Sequence, residues 1–316
     1  MGEIAVLMPT LRRPESLARA LRSLFAQDDA SGLIDAIVVV DNSPEGSARP
    51  VVDALVPASP VRLTYVHEPH PGVATARNAG LATITAPFVA FLDDDEEAPP
   101  HWLATLLAVH KRLGAAVTFG PWRGRAEAAA AWKRPYLDAF FSRTGPAESG
   151  LTLELHGCGN SLMTRAGALD GPRPFDPAYD QVGGEDDRLY QALQRRGARF
   201  AWAAEAWVYE HAPDHRCRVS YALRRAFSFG QTPTTDAIHV RNWGGVARWM
   251  AIGAGQTLVY GAAAAALWAV GAPARLAMTD RAVRGLGKVV WWITPRFYGQ
   301  AEVRRTGAAP VREAFP

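Results

Sequence analysis

Alternation in the first hundred residues constrains this chain more than any other feature. Apolar runs of strand length, IAVLM (4–8), IDAIVVVDNS (34–43), RLTYVHE (62–68) and FVAFL (88–92), alternate with segments of helical spacing. PESLARALRSLFAQ (14–27) opens on proline and sets Leu17, Leu21 and Leu24 on one face. VATARNAGLATI (73–84) and HWLATLLAVHKRL (101–113) read as further helices. Strands that alternate with helices build βαβ units, so an α/β fold with one mostly parallel sheet flanked by helices is expected. Residues 114–183 carry scattered Gly and Pro and read as lid and loop, and GGEDDRLYQALQRRG (183–197) reads as a helix with acids in its first turn. ARFAWAAEAWVYEH (198–211) reads as strand-like.

Open sheets of this kind bind ligands beyond the carboxyl ends of their strands. Here those ends carry Pro9-Thr10, Asp41-Asn42-Ser43 and Asp93-Asp94-Asp95, polar and acidic groups placed where a nucleotide would sit. Neither a P-loop nor a G-x-G-x-x-G dinucleotide fingerprint is present. The five consecutive acids Asp93 to Glu97 repel one another, so either water solvates an exposed turn or a cation sits among them. The triplet alone admits both readings. Arg77 and Asn78, on a helix that begins after Gly72, could meet a phosphate or merely neutralise the acids. Glu185 and Asp186 follow paired glycines at a helix start, where the dipole keeps a carboxylate ionised and able to act as a base. His211 closes a strand-like segment and could offer imidazole to a metal, although a lone histidine is more often structural.

Taken in order, PTLRR, VVVDNS, GVATARNAG, FLDDDEEAPPHWL, GCGNSLMTR and GGEDDRLYQALQRRGARF…VYEH resemble family 2 glycosyltransferases of the GT-A fold. The motifs run over roughly residues 4 to 211. The resemblance implies an inverting, non-processive transferase that moves one sugar from a nucleotide-diphosphate sugar, UDP by default, to a hydroxyl acceptor. It implies that Pro9, Thr10, Arg12, Asp41, Asn42, Arg77, Asp93, Asp94 and Asn160 bind the nucleotide sugar. Asp95, with Asp93 and His211, would hold Mn²⁺ or Mg²⁺; Asp186, with Glu185 as the second choice, would be the general base. The remaining acids of the run are expected to be solvated. The Q-x-x-R-W signature of processive synthases is absent. A nucleotidyltransferase is the alternative enzyme, and a non-catalytic nucleotide-sugar or membrane-binding module is the alternative of another class.

The expected domains are a catalytic part over 1–215, divided into a nucleotide-sugar half (1–113) and an acceptor half (114–215), and a basic, Trp-rich helical extension over 216–316. Residues 216–300 hold eleven Lys or Arg against Asp236 and Asp280. No nucleic-acid module accompanies this charge, so an anionic membrane surface is the expected partner, with a lipid-linked or saccharide acceptor. Between Arg248 and Arg275 lie 26 uncharged residues, long enough to cross a bilayer, but fourteen are Ala or Gly. Interfacial association ranks ahead of a buried helical pair, and true spanning comes third. KVVWWITPRF (288–297) is a second apolar patch. Two cysteines and an N-terminus that reads as a strand point to a reducing cytoplasm, with the protein at the inner face of the cell membrane.

Overall fold

The computed structural model describes residues 2–293 and 295, so the ends of the 288–297 patch and of the 216–316 extension lie outside the described residues. The chain runs β1 (Ile4–Thr10), α1 (Pro14–Phe25), α2 (Ala30–Leu33), β2 (Ile34–Asp41), α3 (Arg49–Leu55), β3 (Arg62–His67), α4 (Val73–Leu81) and β4 (Phe88–Phe91). It continues through β5 (Glu96–Glu97), α5 (Trp102–Leu113), β6 (Val117–Phe119), β7 (Trp122–Arg125), α6 (Arg134–Phe140), β8 (Gly150–Thr152) and β9 (Ser161–Thr164). After the irregular turn α7 (Arg165–Ala168) come α8 (Glu185–Arg195), β10 (Phe200–Trp202) and β11 (Val208–His211). Three long helices follow: α9 (Val219–His239), α10 (Trp243–Ala269) and α11 (Arg275–Val289). Two compact units result, residues 1–123 with 143–210, and 124–142 with 211–295.

In the first unit an eight-stranded sheet has the order β3-β2-β1-β4-β9-β6-β10-β8. Strands β3, β2, β1 and β4 run parallel, as the βαβ reading requires, whereas β9 is antiparallel to both β4 and β6. Side chains alternate across the sheet. Ile4, Val6 and Met8 of β1 pack with Leu17, Leu21 and Leu24 of α1 and Trp102 and Leu106 of α5. Ala5 and Leu7 pack on the other face with Ala74 and Ala76 of α4 and Tyr190 of α8. Each fully buried Leu or Met contributes about 1.5–3 kcal/mol of transfer free energy. Gly80 lets α4 lie close, because a Cβ there would come within 2.7 Å of Val40 and 2.8 Å of Leu7.

The region expected to be lid and loop, 114–183, in fact supplies β6, β8 and β9 to this sheet. These strands are three or four residues long, too short for a period-2 pattern to rise above the surrounding Gly and Pro. In register, Thr10 lies opposite Asp41, and Asp41 opposite His67, so the ends of β1, β2 and β3 form one rim. Leu92 donates its amide to Leu7 O, which carries the acidic run along that same rim.

The second unit holds α9, α10 and α11. Glycines set its contacts: a Cβ at Gly253 would lie 2.6 Å from Gly285 O, and one at Gly230 2.2 Å from Arg284 O. Gln231 of α9 donates to Val290 O and Ile293 O, and Thr234 donates to Lys288 O, fixing α9 against the end of α11.

Candidate active site

At the rim, Thr10 Oγ1 donates to Asp94 Oδ2 at 2.6 Å. Arg13 follows the left-handed Arg12 (φ 54°), and its Nη1 bridges Asp94 Oδ1 and Asp95 Oδ2, each at 2.9 Å. Two carboxylates thus converge on one cationic nitrogen. Asp93 donates its amide to Glu96 Oε2 at 2.9 Å, and Glu96 returns its own amide to Asp93 O at 3.0 Å. The expectation that the remaining acids are solvated is corrected here. Asp94 is 3% and Glu96 2% exposed, whereas 38% of the Asp93 side chain is open to solvent. Arg13 neutralises Asp94, Thr10 donates a hydrogen bond to it, and the Asp93 amide donates to Glu96, which lets both acids be buried. Even so, desolvation raises the pKa of Asp94 against the pull of Arg13 and that of Glu96 well above the usual carboxylate range, with Asp93 adding to the latter. Asp93 is pushed up to about 6 by desolvation, held down by Arg77 and raised further by Asp95 and Asp94.

The second strand end is used differently. Asp41 is buried; its Oδ1 accepts from the Ser43 amide (3.0 Å) and Oγ (2.7 Å), and its Oδ2 from the Ala48 amide (2.6 Å) and Tyr65 OH (3.0 Å). Asn42 accepts from the Gly72 amide at 2.7 Å and donates to Glu68 O and His70 O, so it ties the end of β2 to the entry of α4. Both side chains are engaged in shaping the rim. Arg12 is held in a two-pronged pair with Glu45 at 2.6 and 2.9 Å, and Pro9 lies within β1 opposite Val40.

The third group gathers around Arg77, buried on α4. It pairs with Glu185 Oε1 and stands 3.8 Å from Asp93 Oδ1, so it joins the acidic rim to the start of α8. Gly183 (φ 83°) and Gly184 (φ 94°) both occupy the left-handed region, which explains why two glycines precede these acids. Glu185 is buried, and desolvation pushes it up to about 7, with Arg77 opposing and Asp186 adding. Asp186 Oδ2 accepts from the Cys158 amide at 2.9 Å, and Oδ1 from the Asp187 amide at 2.9 Å.

The loop 157–160 links the two acidic groups. A Cβ at Gly159 would sit 2.7 Å from Asp93 Oδ2, and one at Gly157 would sit 3.6 Å from Asp186 Oδ2. Burial pushes the Cys158 thiol up, which leaves it a poor nucleophile. Asn160, left-handed at φ 49°, accepts from Trp102 Nε1 (2.7 Å) and donates to Pro121 O and Ala206 O, so its side chain braces the loop. His211 closes β11 within the second unit, its Nδ1 3.8 Å from Glu127 Oε1.

Besides Arg13, two residues escaped the sequence reading. Arg143 is buried, lies 3.6 Å from the centre of the Trp122 ring and donates to Gly120 O, Gly157 O, Gly159 O and Asn160 O, so it moulds the linking loop. Asp180 accepts from the Thr75 amide (3.1 Å) and hydroxyl (2.6 Å), capping the first turn of α4. Nothing in RTGPAESG or DPAYDQVGG separates either from an ordinary loop charge.

A sequence model described as Glycosyl transferase family 2 matches residues 5–170. The succinoglycan biosynthesis protein ExoM of Rhizobium meliloti is 36% identical over 224 residues, 71% of this chain and 71% of that protein. The pre-mycofactocin glycosyltransferase of Mycobacterium tuberculosis is 30% identical over 273 residues, covering 80% of this chain but 53% of the relative. Among solved structures, S. aureus TarS 1–349 matches with a TM-score of 0.52 at 17% identity, over 71% of this chain and 64% of that one. The same TarS segment has been solved with UDP-GlcNAc and with UDP. At that identity the likeness speaks for the fold, and it bears out the GT-A-like sheet with a helical C-terminal region. This chain belongs to glycosyl transferase family 2 and is a glycosyltransferase.

Proposed function

We propose that the first unit binds a nucleotide-diphosphate sugar, UDP-linked by preference, at the β1–β2–β4 rim and transfers one sugar with inversion to a hydroxyl. The acceptor is lipid-linked or saccharide, in cell-surface polysaccharide or glycolipid assembly, and the protein works at an anionic membrane surface on the cytoplasmic side. The observation that carries this reading is the division of labour at the start of α8. Glu185 is buried against Arg77, whereas the neighbouring Asp186 is held through Oδ2 by the Cys158 amide. Loop 157–160 thereby sets Asp186 beside the acidic rim, where a donor's reacting carbon and an acceptor hydroxyl can meet. The complexes of TarS with UDP-GlcNAc and UDP support the choice of donor, and the role named for ExoM supports the choice of pathway class.

Among the described residues no three His, Cys, Asp or Glu side chains form a ready-made metal cage. The donor set still fits Mg²⁺ or Mn²⁺, which commonly take one or two carboxylates and complete their shell with substrate phosphates and water. Asp95 and Asp93 would hold the ion; Asp93 leaves 38% of its side chain open to solvent, and Asp95 would exchange its Arg13 contact for the cation. When bound, the cation offsets the charge that develops on the departing diphosphate. Asp186 accepts the proton of the attacking hydroxyl, a contribution of about 10²–10⁴-fold for a positioned base. Arg77 keeps Glu185 engaged, so one acid of the pair is left for the acceptor. Asp41 and Asn42 act on the donor by fixing the rim that receives its base.

Transfer of labelled sugar from UDP-sugars with Mn²⁺ to a bacterial lipid extract tests this. Asp186→Asn should bind UDP as the parent does and lose transfer. Unimpaired transfer by that variant would remove Asp186 from the mechanism.

A further inference from the structure

Helix α10 is 27 residues long, and its most apolar 18-residue window has mean hydropathy 1.3 and is only 11% buried. Its open side repeats at helical spacing: Ala251, Ala254, Gly255, Leu258, Val259 and Ala262 form one uncharged stripe. Leu258 is 74% and Val259 65% exposed. The opposite side is occupied by α11, which runs antiparallel: Gly253 meets Gly285, Thr257 Oγ1 donates to Ala282 O, and Trp268 Nε1 donates to Thr279 Oγ1.

The charges of α11 decide how such a pair can meet a bilayer. Tyr260 lies near the middle of the uncharged run 249–274, and the guanidinium of exposed Arg281 lies over its ring, 5.5 Å from the centroid. A membrane-crossing α10 would place Arg281 at the bilayer centre, with Asp280, Arg284 and Lys288 on the same helix at neighbouring depths. Charge at that depth is costly and belongs to a bundle interior or a water-filled cavity, whereas Arg281 faces outward. Laid along the surface with its stripe toward the lipid, α10 keeps the charges of α11 on its far side, out of the hydrocarbon. Arg248 lies over Trp249, and Arg275 over Trp268 and Trp132, so cations paired with aromatics border the stripe. The second unit as a whole carries thirteen Lys or Arg against five Asp or Glu.

We propose that α10 docks flat on an anionic lipid surface, the Leu258–Val259 stripe entering the acyl boundary and Arg248 beside it reaching the headgroups, with α11 on the side away from the lipid and neither helix crossing the bilayer. This rests on the membrane-surface reading above and adds how the surface is engaged. Charge complementarity selects lipid over a second copy of the chain, since two such basic faces would repel.

The test is co-sedimentation of the full chain with phosphatidylcholine vesicles, alone or with about one third phosphatidylglycerol. Binding should require phosphatidylglycerol and fall at least about tenfold when salt rises from about 0.1 to about 0.5 M. Arg248→Glu should weaken binding by about tenfold, and Leu258→Asp with Val259→Asp should abolish it with no loss of thermal stability. Binding that salt leaves intact and only detergent reverses would mean α10 spans, and would overturn the proposal. So would a dimer in solution that Leu258→Asp splits, with no vesicle binding. UDP-dependent thermal stabilisation, read in the same samples, reports on the first unit alone, so loss of docking and loss of the transferase reading are told apart.

Discussion

The two units use apolar residues in opposite ways. In the first, Leu17, Leu21 and Leu24 are buried between α1 and the sheet, and the polar groups that remain inside are joined in pairs and triads. In the second, glycines bring the helix backbones together, and large apolar side chains such as Leu258 and Val259 are left outside. This is the face that the proposed lipid surface would cover. The first unit buries its large apolar groups and its charge together; the second packs through small residues and leaves large apolar groups exposed.

The sharpest way to break the comparison is at the charged rim. Asp186→Asn should lower transfer by about 10²–10⁴-fold while UDP affinity and thermal stability stay near those of the parent, as measured by labelled-sugar transfer and calorimetry. Next comes the same substitution made in both units. Leu21→Ala should destabilise by about 2–5 kcal/mol through lost burial and a cavity, whereas Leu258→Ala should change stability by less than about 0.5 kcal/mol, both by urea unfolding. Equal effects would mean that the exposed stripe is covered in solution.

How much of this could be read from residue order follows from the lengths involved. Strands β1 and β2 each carry five consecutive apolar residues, IAVLM and AIVVV, and both were legible. Strands β6, β8 and β9 carry three or four, and their pairing is decided by contacts far apart in sequence, such as Met163 opposite Val117. The acids at the rim were legible as a site because like charges in a row require a reason. Their burial was not, because it depends on Arg13 and on the Asp93 amide, neither of which the run itself announces. Arg143 and Asp180 were missed for the same cause: each acts on backbone groups that only the fold brings near.

A smaller effect sharpens the first unit further. His110, 2% exposed, has both ring nitrogens 2.8 Å from threonine hydroxyls, Thr118 and Thr164, and burial holds its pKa down to about 4. The unfolded chain takes up this proton at about 6.5, so stability is full above that pH and declines as pH falls toward about 4, by up to about 3 kcal/mol. In His110→Gln that part of the acid slope should vanish, seen by comparing urea midpoints of the two proteins across the window.

The central claim is that the first unit holds a nucleotide sugar with a cation at Asp95. Its most direct test is the melting temperature of the full chain with UDP, GDP or dTDP, each with Mn²⁺, with Mg²⁺ or with EDTA, beside the Asp95→Ala variant. The account predicts stabilisation by UDP only when the metal is present, about 2.7 kcal/mol at a hundredfold excess over Kd, and no such shift in Asp95→Ala. A folded parent protein that no nucleotide stabilises, with or without metal, would contradict it.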